Sequence, residues 1–279
     1  MIKMKRYGKY DSEVLKHLQE TLLMMLKDIM KLCDENGIEY YAYAGTAIGA
    51  VRHEGFIPWD DDIDIFMTRE NYEKFEKVIK ERSDKYEFVT IENTEDYFLL
   101  FPKVMLKGTK FNEWWANQVN FNSGIPIDIF ILEKLPKNNI RRFMHLKLIR
   151  ILDMLISASI LRYEGYPKFQ QIPVNIIHYL LKIFHITPKF LKTKCLKHLK
   201  KYENTDSTVY VDVSEIPKPY IFYKDELEPS KKVKFESIEV PLPNGNDRIL
   251  KMMYGDYMKL PPEDERFNHM AGEIDFGKY

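Results

Sequence analysis

Two carboxylates two residues apart, Asp62 and Asp64, stand at the start of an apolar run and indicate chemistry. Side chains alternate between the two faces of a β-strand, so a strand over residues 62–67 would present both carboxylates on one face. Two anions held side by side repel each other and need a cation to offset their charge. The pair therefore predicts a divalent cation that prefers oxygen ligands, namely Mg²⁺ carrying a phosphorylated substrate.

A small-residue turn, Gly45-Thr46, precedes these acids and follows a Tyr-rich stretch that predicts a strand over residues 38–44. A short helix is predicted directly after the turn, from Ala47 to His53. A strand, a glycine-hydroxyl turn and a helix N-terminus together can bind phosphate through backbone N–H groups. The turn therefore predicts a phosphate-binding site beside the carboxylates.

A third acid, Asp128, lies within the apolar run Ile125–Leu132, which predicts another strand. A carboxylate buried in such a strand needs a metal or a cation as its partner. The alternative is an aspartate at a strand end that points to solvent. With Asp62, Asp64 and the Gly45-Thr46 turn, Asp128 predicts metal-assisted transfer to or from a phosphoryl group.

Length and composition restrict the class of protein. The chain of 279 residues, 45% hydrophobic and 30% charged, is typical of a soluble protein with one large domain or a catalytic domain and a subdomain. Its two cysteines, Cys33 and Cys195, have no metal-ligand spacing and predict neither a disulfide framework nor a zinc site. Because no signal peptide or apolar run of about 18 residues is evident, we expect a cytoplasmic protein.

The formal net charge of zero hides a segment that is strongly basic. Between Lys137 and Lys201 there are 14 Lys and Arg against two acids, Asp153 and Glu164, so the remainder carries 28 basic and 40 acidic residues. The pattern of this segment is helical, with breaks near Gly165–Pro167 and at Pro188. Two interpretations stay open: an amphipathic subdomain on a membrane surface, or a small helical domain whose lysines are its solvated face.

The other elements that must position the acids follow from apolar periodicity and turn residues. They are predicted to be a helix over 11–36 ended by Gly37, a helix over 68–82, strands over 86–92 and 97–106, a hairpin over 231–241 and a helix over 248–254.

Long runs of residues in this sequence also resemble a known family. Gly45–His53 followed by Gly55–Ile65 closely resembles the signature of the LicD/fukutin family. Ile127–Phe130 resembles its second acidic motif, and Tyr254–Met258 with Pro261-Pro262 resembles its C-terminal motif. The resemblance covers both ends of the chain and is weakest in the basic helical segment.

The resemblance implies an α/β (α+β) fold with a polymerase-beta-like nucleotidyltransferase core, a mixed sheet and an inserted helical subdomain. Residues 1–136 and 203–279 would form the catalytic domain, and residues 137–202 would form the basic helical insertion. Ala47-Ile48 stands where the family commonly has Leu-Leu, a departure that involves no predicted catalytic residue.

The resemblance further implies a Mg²⁺-dependent phosphotransferase that moves phosphocholine or a similar phospho-alcohol from a CDP-linked donor. CDP-choline is the favoured donor, and the acceptor would be a sugar hydroxyl of a cell-surface glycan, teichoic acid precursor or lipid-linked glycan. No nucleic acid partner is expected. Contact of residues 137–202 with an anionic membrane at its inner face is one of the two interpretations of the basic segment that stay open. Two alternatives are a nucleotidyltransferase that places a nucleoside monophosphate on an acceptor, and a non-catalytic glycan- or membrane-binding module.

The predicted roles divide the candidate residues into two groups. The metal-binding and catalytic residues are predicted to be Asp62, Asp64 and Asp128. The contacts to the donor are predicted to be Gly45, Thr46, Arg52, His53 and Lys103. Arg52 is a candidate because guanidinium can bind phosphate bidentately, whereas His53 and Lys103 are equally compatible with surface positions. Asp128 is preferred as the acceptor of the proton from the attacking hydroxyl.

Two further expectations concern neighbouring residues. Asp60 and Asp61 are expected to shape the loop rather than to bind metal. A transferred choline should lie against aromatic rings, for which Trp59, Trp114 and Trp115 are candidates that the sequence does not rank.

Overall fold

A mixed sheet of seven strands forms the centre of the chain in the computed structural model, which describes residues 8–162, 167–214 and 219–279. The strands are β1 (Tyr41–Ala42), β2 (Asp64–Thr68), β3 (Tyr86–Val89), β4 (Lys103–Leu106), β5 (Lys110–Phe111), β6 (Pro126–Lys134), β7 (Val209–Asp212), β8 (Tyr220–Tyr223), β9 (Lys231–Phe235), β10 (Ile238–Leu242) and β11 (Ile274–Asp275). The helices are α1 (Ser12–Glu35), α2 (Ala44–His53), α3 (Arg69–Ile79), α4 (Asn139–Ile160), α5 (Lys168–Ile183), α6 (Pro188–Leu199), α7 (Lys224–Leu227) and α8 (Asn246–Tyr254). The predicted mixed α/β fold is confirmed.

The order of the strands brings the candidate acids to one level of the sheet. The main path is β1-β2-β6-β4-β3, and β7 and β8 extend from β6. β2 and β6 are parallel, with Asp64 opposite Asp128. β4 is antiparallel to β6, and its Lys103 is also opposite Asp128. Two acids and a lysine from three strands are therefore neighbours by register alone.

Strict alternation along β2 and β6 explains why these acids share a face. The apolar residues of one face pack with helices α1 and α3 in the largest core cluster. They are Ile63, Ile65, Met67, Ile127, Ile129 and Ile131. The opposite face holds Asp64 and Asp128 together with Phe66 and Phe130, which join a separate aromatic cluster. Full burial of each such apolar side chain stabilises the fold by roughly 1.5–3 kcal/mol, which fixes the register and hence the acids.

Three predicted elements near the site differ from the structure in their limits. The first strand is confined to Tyr41–Ala42, because only these two residues pair with β2. Helix α2 begins at Ala44, so Gly45 and Thr46 lie in its first turn and not in a turn before it. The sharp bend falls instead at Ala44, whose φ is 43°. β2 begins at Asp64, so Asp62 belongs to the loop before the strand.

The other local predictions hold with small changes. Asp11 caps α1 through its carboxylate, which accepts the N–H of Glu13 at 2.9 Å, and the hydroxyl of Thr68 caps α3. The hairpin (β9 and β10) and helix α8 form as predicted. The strand predicted over 97–106 is wrong in its first half, since pairing begins only at Lys103.

The basic helices α4–α6 lie between β6 and β7, which are paired neighbours in the sheet. Ile149, Ile156 and Leu181 pack with Met105 and Val211 of the sheet in a second core cluster. The predicted break at Pro188 is confirmed, because Pro188 is the first residue of α6; the break at 165–166 lies outside the described residues. The domain limits at 137 and 202 stay a prediction. In the described ranges, no helix is long and apolar enough to cross a membrane.

A buried ion pair joins α3 to β6. The guanidinium of Arg69 donates to both carboxylate oxygens of Glu133, and Nε is 3.2 Å from Oε2. Arg69 and Glu133 are both almost fully buried. Such a pair adds little net stability, but loss of one partner leaves a buried charge unpaired.

We expect Arg69→Met to lower the free energy of unfolding by about 3–5 kcal/mol, because Glu133 would then be buried without a cation. Denaturant titration followed by circular dichroism measures the change. The double variant Arg69→Met/Glu133→Leu is the control and should recover much of the loss. Equal destabilisation by the single and double variants would contradict the pairing.

Candidate active site

The acids of β2 and β6 form one electrostatically coupled group. Burial, together with the charges of Asp62 and Asp128, raises the pKa of Asp64 well above its usual range. Burial also raises the pKa of Asp128 to about 6, although the Lys103 charge opposes the shift. Asp60 has its pKa raised by burial and by Asp62 and Asp61. The predicted acids are therefore coupled, and the charge of Asp62 makes ionisation of Asp60, Asp64 and Asp128 harder.

Lys103 is the cation at the centre of this group. Its Nζ lies 2.9 and 3.0 Å from the two carboxylate oxygens of Asp128 and 3.3 Å from Oε2 of Glu113. Only 4% of its side chain is exposed. Burial opposes the charge, but Asp128 and Glu113 raise the pKa of Lys103 above its usual range, so it stays protonated at neutral pH. Lys103 thus holds Asp128 in place, and its contact to the donor stays a prediction.

A second cation comes from the C-terminal segment. Nδ1 of His269 lies 3.4 Å from carboxylate oxygens of both Asp61 and Asp62. The hydrogen bond to Asp61 and the charge of Asp62 raise the pKa of His269 to about 10. Asp61 also accepts the backbone N–H groups of His269 and Met270, each at 3.0 Å. These bonds agree with the expectation that Asp61 shapes the loop.

Sequence reasoning did not assign His269 or Glu113 to the site. His269 lies far in sequence from Asp61 and Asp62, whereas Glu113 lies ten residues after Lys103, and both are in segments without apolar periodicity. No spacing rule connects residue 113 or residue 269 to Asp62 or Asp128. Only the tertiary fold brings them there.

The first turn of α2 lies against the same acids. A Cβ at position 45 would be 2.7 Å from Oδ2 of Asp60, so the close approach of this carboxylate requires Gly45. The hydroxyl of Thr46 is buried and accepts the backbone N–H of Asp64 at 2.9 Å. The first backbone N–H groups of a helix have no partner within the helix and favour anions. The turn therefore fits a phosphate, and this contact stays a prediction.

We expect Thr46→Val to lower the free energy of unfolding by about 1–3 kcal/mol, because the buried N–H of Asp64 would lose its acceptor. Thr46→Ser keeps the hydroxyl and is the matched control. Denaturant titration of both variants measures the difference. Equal stability of the valine and serine variants would contradict the role of this hydrogen bond.

Arg52 and His53 lie at the other end of α2, away from the first turn. Nη1 of Arg52 donates to the backbone oxygen of Tyr257 at 2.5 Å, and its Nε donates to Nε2 of His53 at 2.9 Å. Burial and the Arg52 charge lower the pKa of His53, so it is neutral at pH 7. Burial lowers the pKa of Arg52, and the charge of Asp60 opposes this shift. The structure thus joins Arg52 to the C-terminal motif, and its contact to a nucleotide stays a prediction.

The tryptophans are placed in different surroundings. Trp115 is buried in the second core cluster and is unable to line an open site. The guanidinium of Arg266 lies 5.2 Å from the centre of the Trp59 ring, and His53 meets the same ring edge-on. Trp59, unlike Trp115, therefore lies beside the predicted site residue His53.

The donor set fits a hard divalent cation. Six carboxylates (Asp60, Asp61, Asp62, Asp64, Glu113 and Asp128) face the two cations Lys103 and His269, which leaves an excess of negative charge. Among the described residues, the group of three ligand atoms within 4.8 Å of one another belongs to Asp61, Asp62 and His269. This group contains only Asp62 of the three predicted ligands, since Asp64 and Asp128 are paired with each other across β2 and β6 and Asp128 shares its oxygens with Lys103. Oxygen ligands and excess negative charge are what Mg²⁺ requires.

We expect Mg²⁺ to raise the thermal unfolding temperature more at about pH 8 than at about pH 5, because the cation must displace protons held by Asp64 and Asp128. Without the cation, the folded chain binds these protons more tightly than the unfolded chain does. The stabilising contribution of the proton on Asp128 is therefore present below about pH 4 and lost as the pH rises through about 6.

Differential scanning fluorimetry across this pH range, with and without MgCl₂, measures both effects. Asp64→Asn is the test variant and Asp84→Asn, on an exposed turn, is the matched control. A Mg²⁺ effect that does not change with pH would contradict binding at these acids.

Comparison with known proteins relates this chain to a family of transferases. Residues 37–141 match the family described as "LicD/FKTN/FKRP, nucleotidyltransferase domain". The chain is 29% identical over 275 residues to the lipopolysaccharide cholinephosphotransferase LicD of Haemophilus influenzae, a match that covers 93% of this chain and 97% of that protein. Uncharacterized proteins of Rickettsia typhi and Rickettsia prowazekii are 41% identical over 59 residues and 45% identical over 51 residues, each match covering 19% of the relative.

A mixed sheet that carries paired acids beside a helix N-terminus, within a matching nucleotidyltransferase domain, defines a transferase. Residues 37–141 thus match a domain of the LicD family, and the chain as a whole is similar to a LicD cholinephosphotransferase. The resemblance found in the sequence is thereby confirmed, as is the prediction of an enzyme.

Proposed function

We propose that this chain transfers phosphocholine from CDP-choline to a sugar hydroxyl of a cell-surface glycan, in a Mg²⁺-dependent reaction. The observation that carries the proposal is the match along 97% of a lipopolysaccharide cholinephosphotransferase. That match covers 93% of this chain, so it extends far beyond the signature motif and into the basic helical segment. The excess of carboxylates beside a helix N-terminus supports the same reaction class.

The proposed reaction is a displacement at phosphorus. The oxygen of the sugar hydroxyl attacks the phosphorus that bears choline, and the bond from this phosphorus to the bridging oxygen of the diphosphate breaks. CMP leaves with that oxygen, and the glycan gains a phosphodiester. The hydroxyl proton passes to a carboxylate.

Asp128 is the proposed acceptor of this proton. Its pKa of about 6 leaves it ionised at neutral pH but more basic than an ordinary aspartate, which suits a general base. Lys103 contacts both oxygens of Asp128 and so fixes the orientation of the carboxylate. Lys103 is therefore a positioning residue in this proposal.

The remaining residues bind and orient the donor. Asp62 and Asp64 would hold Mg²⁺, which neutralises charge on the diphosphate when it is bound. Gly45 and Thr46 would present the first turn of α2 to the same phosphates. The face of Trp59 already lies under one cation, Arg266. Its ring is our candidate for contact with the quaternary ammonium of choline.

We expect CDP-choline with MgCl₂ to raise the thermal unfolding temperature more than CDP-ethanolamine, CDP-glycerol or CDP-ribitol does, because only choline offers a quaternary ammonium. Asp62→Asn should remove the stabilisation and lower transfer by about 100-fold or more, the scale of one transition-state charge contact. Asp84→Asn should change neither. If another donor stabilises the protein more, the alcohol of that donor is the transferred group instead of choline. If no donor stabilises it, the proposal is contradicted.

A second candidate is transfer of a nucleoside monophosphate, which the description of the matching domain as a nucleotidyltransferase favours. The same acids would serve, but the attack would occur at the nucleotide's own phosphorus. Product analysis separates the two reactions. Release of CMP with a choline-bearing glycan supports phosphocholine transfer, whereas release of pyrophosphate from CTP supports nucleotidyl transfer.

A further inference from the structure

We propose that helices α4–α6 bind the surface of an anionic lipid bilayer through apolar side chains that are bordered by lysine and arginine. The inference concerns binding alone and does not depend on the transferred group. Membrane binding would also bring the site to a lipid-linked acceptor, and only this consequence rests on the proposed function.

Exposed apolar side chains are concentrated on these helices. Of the 20 large apolar side chains exposed in the described ranges, 14 lie between Ile140 and Phe190. Phe169 is 74% exposed, Ile183 is 67% exposed and Phe143 is 66% exposed. A soluble surface rarely groups so many large apolar residues unless it binds a partner or a membrane.

The exposed residues follow helical spacing and form a stripe on α5. Phe169, Ile172, Ile176 and Ile183 are separated by three, four and seven residues, so they share one side of the helix. The opposite side already packs inward through His178 and Leu181. The exposed stripe is therefore a second apolar face and not the core face of a loosely packed helix.

Helix α4 has the same two-faced construction. Ile140, Met144, Leu148 and Ile151 recur every three or four residues and are exposed, whereas Ile149, Ile156 and His145 are buried. A helix with apolar residues on two sides needs cover for both of them. Helix α4 packs against α5 and α6, and among the described residues its exposed side has no comparable cover.

Positive charge borders the exposed apolar side chains. Residues 137–202 carry 14 Lys and Arg against two acids. Nζ of Lys147 lies 5.8 Å from the centre of the Phe143 ring, and Nζ of Lys194 lies 5.3 Å from that of Phe190. Lysine stems that lie along exposed aromatic rings, with their charges at the border, are typical of helices that bind in the plane of an anionic membrane.

Charge also decides between a bilayer and a second copy of the chain. Pairing two copies through this face would bring together two segments with a net charge of +12 each, and such like charges oppose association. An anionic bilayer supplies both the apolar environment and the opposite charge. Each Lys or Arg at such a surface strengthens binding by about fivefold.

Flotation with vesicles tests this inference. The full chain is mixed with vesicles of equimolar phosphatidylglycerol and phosphatidylcholine, or of phosphatidylcholine alone, and the bound fraction is measured. The apolar variant is Ile172→Ser/Ile176→Ser/Ile183→Ser. The charge variant is Lys147→Glu/Lys182→Glu/Lys194→Glu. A matched charge control on exposed lysines elsewhere is Lys9→Glu/Lys27→Glu/Lys77→Glu.

We expect the unmodified chain to bind the anionic vesicles and the apolar variant to bind at least about tenfold more weakly. The charge variant should lose about 100-fold or more, while the matched control should lose far less. Circular dichroism and thermal unfolding verify that each variant is folded. Because no donor or acceptor is present, the result is separate from the test of the transfer reaction.

Several outcomes would contradict the inference. One is equal binding of the unmodified chain to anionic and neutral vesicles. Another is full retention of binding by the folded apolar variant, or equal losses in the charge variant and its matched control. A third is a dimer in sedimentation velocity that the apolar variant converts to a monomer, without vesicle binding by either protein.

Discussion

Repulsion among buried carboxylates is the constraint on which the arrangement of this protein depends. Asp60, Asp62 and Asp64 follow one another within five residues, and the parallel register of β2 and β6 adds Asp128. Burial weakens the hydration of each charge and strengthens its repulsion by the others. The protein offsets this with Lys103 from β4 and His269 from the C-terminal segment. The excess negative charge that remains is what makes the site suited to a cation and its phosphates.

Each part of the fold contributes to holding this charged group. Apolar side chains on one face of β2 and β6 fix the register, and the acids occupy the other face because side chains alternate. The first turn of α2 lies against Asp60, while its last turn is joined through Arg52 to Tyr257. One short helix thus connects the acids to the C-terminal motif. The site is assembled from segments that are distant in sequence.

Local patterns in the sequence predicted the elements that depend on local physics. Helices α1 and α3 follow from apolar periodicity and from the caps at Asp11 and Thr68, and the acids stand out because they interrupt apolar strands. The start of α2 was predicted too late, because the strand before it ends with its pairing at Ala42. Contacts such as His269 with Asp61 have no local signal. They arise from tertiary packing. Because the C-terminal segment has no apolar periodicity, the sequence does not show where it packs.

The bonds from Asp61 to the backbone of His269 and Met270 have a consequence for biosynthesis. Asp61 is made first, and the two N–H groups whose bonds it accepts lie 208 and 209 residues later. A nascent chain would hold the acids without this support until synthesis had passed Met270. The site would therefore stay incomplete on the ribosome until the segment around Met270 had been made and had folded back onto Asp61.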